Sequence, residues 1–239
     1  MSSFKARITE RIDAGLDQRW REHTNEFDLV ILITKAPHLL LNKDIPDNAI
    51  IHCTITGMGG TAIEPNVACP EITLDAYNKL VAKIGGERCV LRIDPIIPTT
   101  KGIATAKNLS FSTKPSCWGE KEGRLRISFL DIYPHVKEKF NKAGIPLPYP
   151  TFHAPLQDRL NALSQLPAYA EVCGEPGLPC TGCVSIRDIQ ALNLKLTPQT
   201  GKSTQRFACA CIAEKQELLG NIERKPCPHN CLYCYWKNN

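Results

Sequence analysis

The chain is poor in the features that would mark a membrane, secreted or nucleic-acid-coating protein. No apolar run reaches the roughly 18 residues a spanning helix needs, and the opening MSSFKARITERIDAG has no apolar stretch of the signal-peptide kind. The reading is a cytoplasmic protein with no membrane partner. Like charges never run five or six together, so the excess of 29 Lys+Arg over 24 Asp+Glu, a net +5, is spread along the chain. That excludes a basic tail and leaves a mild attraction to polyanions. The six histidines form no HxxxH or HxH pair, which removes the paired-imidazole metal sites. The glycines of TGMGGTAIEP (56–65) lack the spacing of a dinucleotide-binding turn, and no acidic residue is placed as that motif needs; they read as a turn.

What the chain has in excess is cysteine, 12 in 239 residues. In a reducing compartment, clustered cysteines point to metal binding or redox chemistry rather than disulfides. Cys53, Cys69, Cys89 and Cys117 are scattered through the first half, and Cys53 and Cys89 read as small core residues inside apolar strands. Cys173, Cys180, Cys183, Cys209, Cys211, Cys227, Cys231 and Cys234 crowd the last third.

Periodicity gives the fold class. Ile8, Ile12, Leu16 and Trp20 recur at steps of four and predict an amphipathic helix over 5–24. The apolar runs 28–33, 48–55, 88–93 and 125–130 read as buried parallel strands. Between them, 73–86 reads as a helix with Thr73 as N-cap and glycines at its end; 133–143 and the stripe Leu156, Leu160, Leu163, Leu166 read as further helices. GIATAKNL, within the loop-like stretch 99–123, is a shorter helical candidate. The alternation implies a parallel sheet covered by helices, open or curled into a full or partial barrel, with function at the strand C-termini. Polar residues gather there: Thr34 and Lys35, Thr54 and Thr56, Arg92 and Asp94.

The tail CPHNCLYCYW spaces Cys227, Cys231 and Cys234 as CxxxCxxC. Three thiolates so spaced can bind three irons of a cubane and leave the fourth iron without a protein ligand. The bland alternative is a zinc site completed by His229 or a remote ligand. Tyr233 and Tyr235 put aromatic surface beside the motif. A second group comprises Cys180 and Cys183 as CxxC, Cys209 and Cys211 as CxC, and Cys173 nearby. Four of these five suit a closed tetrahedral site, for structural zinc or an auxiliary iron-sulfur cluster. Spacing alone favours Cys180, Cys183, Cys209 and Cys211.

These motifs resemble known families. CxxxCxxC with an aromatic residue before its third cysteine is similar to the signature of radical S-adenosylmethionine (radical SAM) enzymes, in which it normally lies near the N-terminus of a (β/α) barrel. The tail QRFACAC…CPHNCLYCY resembles a bacterial family of unknown function whose radical-SAM-type cysteines end the chain. TKAP (34–37), TIT (54–56), IEP (63–65) and RIDPIIP (92–98) resemble, in that order, barrel segments of the spore photoproduct lyase-like branch. The resemblances imply a circularly permuted partial (β/α) barrel over residues 1–170 and a cysteine-rich region over 171–239 that closes over its mouth. They imply a [4Fe-4S] cluster on Cys227, Cys231 and Cys234, with S-adenosylmethionine as cofactor. Lys35, Thr54 and Arg92 become candidates for the cofactor's carboxylate and polar groups, and the Tyr233 region for its adenine. For the second site they favour Cys173, Cys183, Cys209 and Cys211. The implied activity is reductive cleavage of S-adenosylmethionine, driven by a low-potential donor such as a flavodoxin or ferredoxin, to a 5′-deoxyadenosyl radical that takes hydrogen from a substrate. A nucleotide or DNA is the substrate class suggested. The rival reading is a non-catalytic zinc or iron-sulfur module that binds nucleic acid or a protein partner.

Overall fold

The computed structural model describes residues 4–112, 124–194, 208–212, 215–219 and 225–236. Cys117 and the end of the 99–123 stretch lie outside them. Seven parallel strands form one curled half-barrel sheet: β1 (Ala6–Ile8), β2 (Leu29–Thr34), β3 (Ala49–Thr54), β4 (Cys89–Ile96), β5 (Arg124–Phe129), β6 (Glu171–Val172) and β7 (Lys215–Glu217), in the order β6-β5-β4-β3-β2-β1-β7. The four predicted strands are β2 to β5. Both edge strands come from the cysteine-rich region.

The convex face is packed by helices. α1 (Pro70–Ile84) turns Tyr77, Leu80 and Val81 onto Val30, Leu32, Ile51 and Leu91, and α2 (Thr100–Ser112) adds Ala106 and Leu109. α1 starts at Pro70, with Cys69 as N-cap, and not at Thr73, whose hydroxyl donates back to the Cys69 carbonyl at 3.3 Å. α3 (Pro134–Lys142) buries Val136 and Phe140 at the C-terminal end of the sheet, against Leu130 and Tyr149. Only the later half of the stripe expected for α4 (Leu156–Leu163) reaches the core, where Leu166 is buried and Leu163 packs against it. Leu156 and Leu160 are 45% and 42% exposed, and the buried positions are Arg159 and Ala162. Arg159 turns inward because Glu175 and the carbonyls of Ala154 and Pro176 hold its guanidinium.

The N-terminal amphipathic helix does not form. Ala6–Ile8 is instead strand β1, seated between β2 and β7, and Trp20 lies in a short 3₁₀ turn, Arg19–Glu22. Ile8 and Trp20 are both fully buried but belong to different apolar clusters, and Leu16 is 40% exposed. The four-residue spacing is thus shared between two faces of the sheet. β1 is paired over all three residues with β2 on one side and β7 on the other, which outweighs the local helical preference.

The concave face is lined by Ala6, Ile8, Leu29, Ile31, Ile50 and Val90, and is filled by Cys183, Val184 and Cys211. Below β5 it carries a buried charge network: Arg126 pairs with Glu171 and donates to the Cys183 carbonyl at 2.8 Å, and Arg124 meets Asp188 at 2.7 Å. His52 lies 3.2 Å from Arg126; burial and that guanidinium hold it well below the ordinary histidine value, so it is neutral. Among the described residues no helix is long and apolar enough to cross a membrane.

Candidate functional site

The strand C-termini open into a cleft of about 910 Å³, its mouth included. Lys35 at the end of β2, Thr54 at the end of β3, Arg92 and Asp94 on β4, and Asp131 beyond β5 form its walls, and the tail supplies Cys227, Cys231, Tyr233 and Cys234. Every sequence-predicted residue of the first site therefore faces one space.

The cysteine loop is tied down from several directions. Leu232 N–H donates to the Ile63 carbonyl at 3.0 Å, Asn66 Nδ2 donates to the Pro228 carbonyl at 2.7 Å, and His135 Nε2 lies 3.1 Å from the Cys234 carbonyl. His229 Nε2 is 2.8 Å from Asp13 Oδ2, and its Nδ1 is 3.4 Å from the Asn66 carbonyl. Both ring nitrogens thus have protein partners, which weighs against His229 as a fourth metal ligand.

Asp13 was not singled out in sequence, yet its carboxylate organises this corner. Beyond His229 it accepts from Lys35 N at 2.7 Å, Thr34 Oγ1 at 2.6 Å and Gly15 N at 2.9 Å. Burial works against its charge, but the His229 and Thr34 hydrogen bonds win and hold it below the usual carboxylate value. The only sequence sign was an Asp two residues before a Gly in a segment read as helix.

Lys35 has two protein partners beside the cleft. Its Nζ donates to Glu64 Oε1 at 2.8 Å and contacts Tyr233 Oη at 2.5 Å, and Tyr233 also donates to Glu64. Burial opposes the Lys35 charge, and Glu64 more than offsets it, leaving the ammonium firmly protonated. Glu64, 1% exposed, stays ionised against burial because Lys35 faces it. Its loop is bent by the glycine turn: a Cβ on Gly59 would stand 2.1 Å from the Ala68 carbonyl, so only glycine fits.

Thr54 is 3% exposed, and its hydroxyl oxygen has no hydrogen-bond partner among the described residues. A buried hydroxyl facing a cleft without a partner invites a polar group of a ligand. Arg92 pairs with Asp94, which also accepts from Ser128. Burial pushes the Cys231 thiol up to about 12, with Lys35 pulling the other way.

The second cysteine group sorts itself. Cys173 and Cys183 sulfurs touch at 3.3 Å, Cys209 and Cys211 sulfurs at 3.3 Å, and the Cys183 N–H donates to Cys211 Sγ at 3.2 Å. Cys180 faces away: its sulfur accepts from Glu175 N at 3.2 Å, and it packs on the convex-face cluster. Structure thus groups Cys173 with Cys183, Cys209 and Cys211, against the set that spacing favours. No described cysteine is in a disulfide. Among the described residues no three His, Cys, Asp or Glu side chains already surround a metal-sized point.

A family model described as a domain of unknown function (DUF1848) matches residues 9–236. No curated protein and no solved structure matches the chain.

Proposed function

The chain belongs to the DUF1848 family, and we propose that it is a radical SAM enzyme on a circularly permuted partial barrel. The observation that carries this reading is the strand order. β7, the strand before the cysteine loop, is last in sequence but lies beside β1. Starting from β7, every strand neighbours its successor, as in an unpermuted barrel cut after its first strand and rejoined at the other end. A motif near the N-terminus in the usual order then falls at the C-terminus here, over the same mouth.

The residues present suit the cofactor pair. Cys227, Cys231 and Cys234 line the cleft on a loop whose histidine is engaged elsewhere, as expected of a cluster with one iron open. When bound, a [4Fe-4S] cluster and S-adenosylmethionine supply a carbon-centred radical able to take hydrogen from a substrate C–H. The chain's own part is to bind, orient and exclude water. Thr54 offers its unpartnered hydroxyl and Arg92 a guanidinium at the cleft wall. Lys35, also on the cleft wall, is the candidate for the cofactor's carboxylate, and through Glu64 it locks Tyr233 and with it the cysteine loop. A flavodoxin or ferredoxin would supply the electron. For the substrate, a nucleotide or DNA follows from the photoproduct-repair likeness alone, and DNA binding should weaken steeply with salt.

The test is anaerobic reconstitution with iron and sulfide, reduction with dithionite in the presence of S-adenosylmethionine, and chromatography for 5′-deoxyadenosine. We expect its formation, and its loss in Cys231→Ala. A loaded cluster with neither cleavage nor cofactor binding would overturn the proposal in favour of a non-catalytic metal module.

A further inference from the structure

We propose that Cys173, Cys183, Cys209 and Cys211 bind one zinc ion that clasps the two edges of the half-barrel together. The site is separate from the cysteine loop and does not depend on the catalytic reading.

Sheet topology makes the case. Cys173 directly follows β6, its N–H still donating to the Ile127 carbonyl of β5 at 2.9 Å, and Thr181 returns along β6 to bring Cys183 in. Cys209 and Cys211 stand just ahead of β7, which is the opposite edge of the same sheet. The four sulfurs thus come from the two ends of an open seven-strand sheet and lie on its concave face as two touching pairs, joined where Cys183 N–H meets Cys211 Sγ.

The chain is shaped for that meeting. Gly182 has φ +79°, and a Cβ there would lie 2.5 Å from Cys211 N and 2.6 Å from the Ala210 carbonyl carbon. Only glycine lets the two backbones touch, and Ile212 N–H donates to the Val184 carbonyl at 3.0 Å to fix the register. Two N–H groups, of Cys183 at 3.2 Å and Val184 at 3.5 Å, point at Cys211 Sγ, as a thiolate requires.

Charge and size select the ion. Four thiolates on a divalent ion leave a net charge of −2. Two cations lie within electrostatic reach of the group, the half-buried Arg92, paired with Asp94, and the buried Lys215, paired with Glu10 at 3.4 Å, and both temper its negative charge. Zinc–sulfur bonds of about 2.3 Å in a tetrahedron set sulfurs about 3.8 Å apart. The 3.3 Å sulfur contacts need to part by only about half an ångström. A cubane carries its thiolates on the outside of a four-iron box, much farther apart, and suits these four sulfurs poorly. Binding releases the thiol protons and involves no change of oxidation state.

The test uses the full chain with Cys227, Cys231 and Cys234 all replaced by alanine, so that metal bound at the loop cannot contribute. We expect one zinc per chain by elemental analysis and four sulfurs at about 2.3 Å by X-ray absorption. Cys180→Ser in this background should keep the metal, and Cys211→Ser should lose it. Removing zinc with a chelator should speed amide exchange in β6 and β7 together, a readout that survives if Cys211→Ser fails to fold. Iron, with or without sulfide, a Cys173–Cys183 disulfide, loss of metal on Cys180→Ser, or faster exchange at one edge alone would overturn the proposal. None of these results bears on whether the wild-type chain cleaves S-adenosylmethionine.

Discussion

Replacing Asp13 with asparagine alters one atom of a buried side chain that joins three parts of the molecule. The carboxylate receives the Lys35 and Thr34 groups from the end of β2, the Gly15 N–H from its own turn, and His229 from the cysteine loop. Asparagine keeps one acceptor oxygen and turns an NH₂ toward the other side. If its oxygen serves Thr34 and Gly15, the NH₂ faces Lys35 N–H, a donor against a donor. His229 can answer by changing tautomer; the Lys35 backbone N–H cannot. A buried donor left unmade costs about 1–3 kcal/mol, and hydrogen bonds to a charged acceptor contribute about 1.5–3 kcal/mol each. The expected loss is therefore about 3 kcal/mol, or a fall in Tm of about 6–12 °C for a chain of this size. Urea and thermal unfolding of the reduced full chain would measure it. A double-mutant cycle with His229→Ala isolates the link to the loop, and its coupling should be about 1–3 kcal/mol. Asp13→Asn within about 1 kcal/mol of wild type, or a coupling below about 0.5 kcal/mol, would refute the view that this carboxylate clamps the cysteine loop to the barrel.

Two further outcomes follow from buried charges. Glu64→Gln leaves the Lys35 ammonium buried without its counter-ion, so stability should fall by about 3–5 kcal/mol; a Tm unchanged by differential scanning calorimetry would contradict the Lys35–Glu64 assignment. Glu217 accepts from Glu10 N and Arg11 N at 3.0 and 2.9 Å, yet burial raises it from 4.5 to about 7. Its folded value lies above its unfolded one, so its contribution favours folding below about pH 4.5 and is lost as pH rises to about 7. Glu217→Gln should accordingly gain stability relative to wild type between pH 5 and pH 8, by at most about 3 kcal/mol. A difference that stays flat with pH would show that the carboxyl is not held protonated.

The sequence by itself determined the parts of this protein whose physics is local. β2 and β3 are largely apolar runs buried on both faces, β4 and β5 keep apolar residues at alternate positions between charged ones, and α1 and α3 bury the periodic face that their residues define, so each could be read from its own window. The cysteine spacing of the tail and the polar strand ends Lys35, Thr54 and Arg92 were legible for the same reason, and all line one cleft. Where a residue's partner lies far along the chain, local pattern misled or was silent. Ile8 follows a helical stripe but becomes strand because β2 and β7 stand on either side of it, and β7 is about 200 positions away. The exposed Leu156 and Leu160 and the buried Arg159 reverse the polarity a helical stripe implies, since Glu175 waits in the interior to neutralise the arginine. Cys180 satisfies the CxxC spacing, but Gly182 reverses the chain and turns Cys183 toward Cys211 while Cys173 arrives from β6. Asp13 and Glu64 became site residues only when the tail folded back to bring His229 and Tyr233 to them. Spacing along a chain constrains which neighbours can share a face. Only the closed path of the backbone decides which distant donors, charges and thiols meet, because those contacts are paid for by the tertiary burial of the segments that carry them.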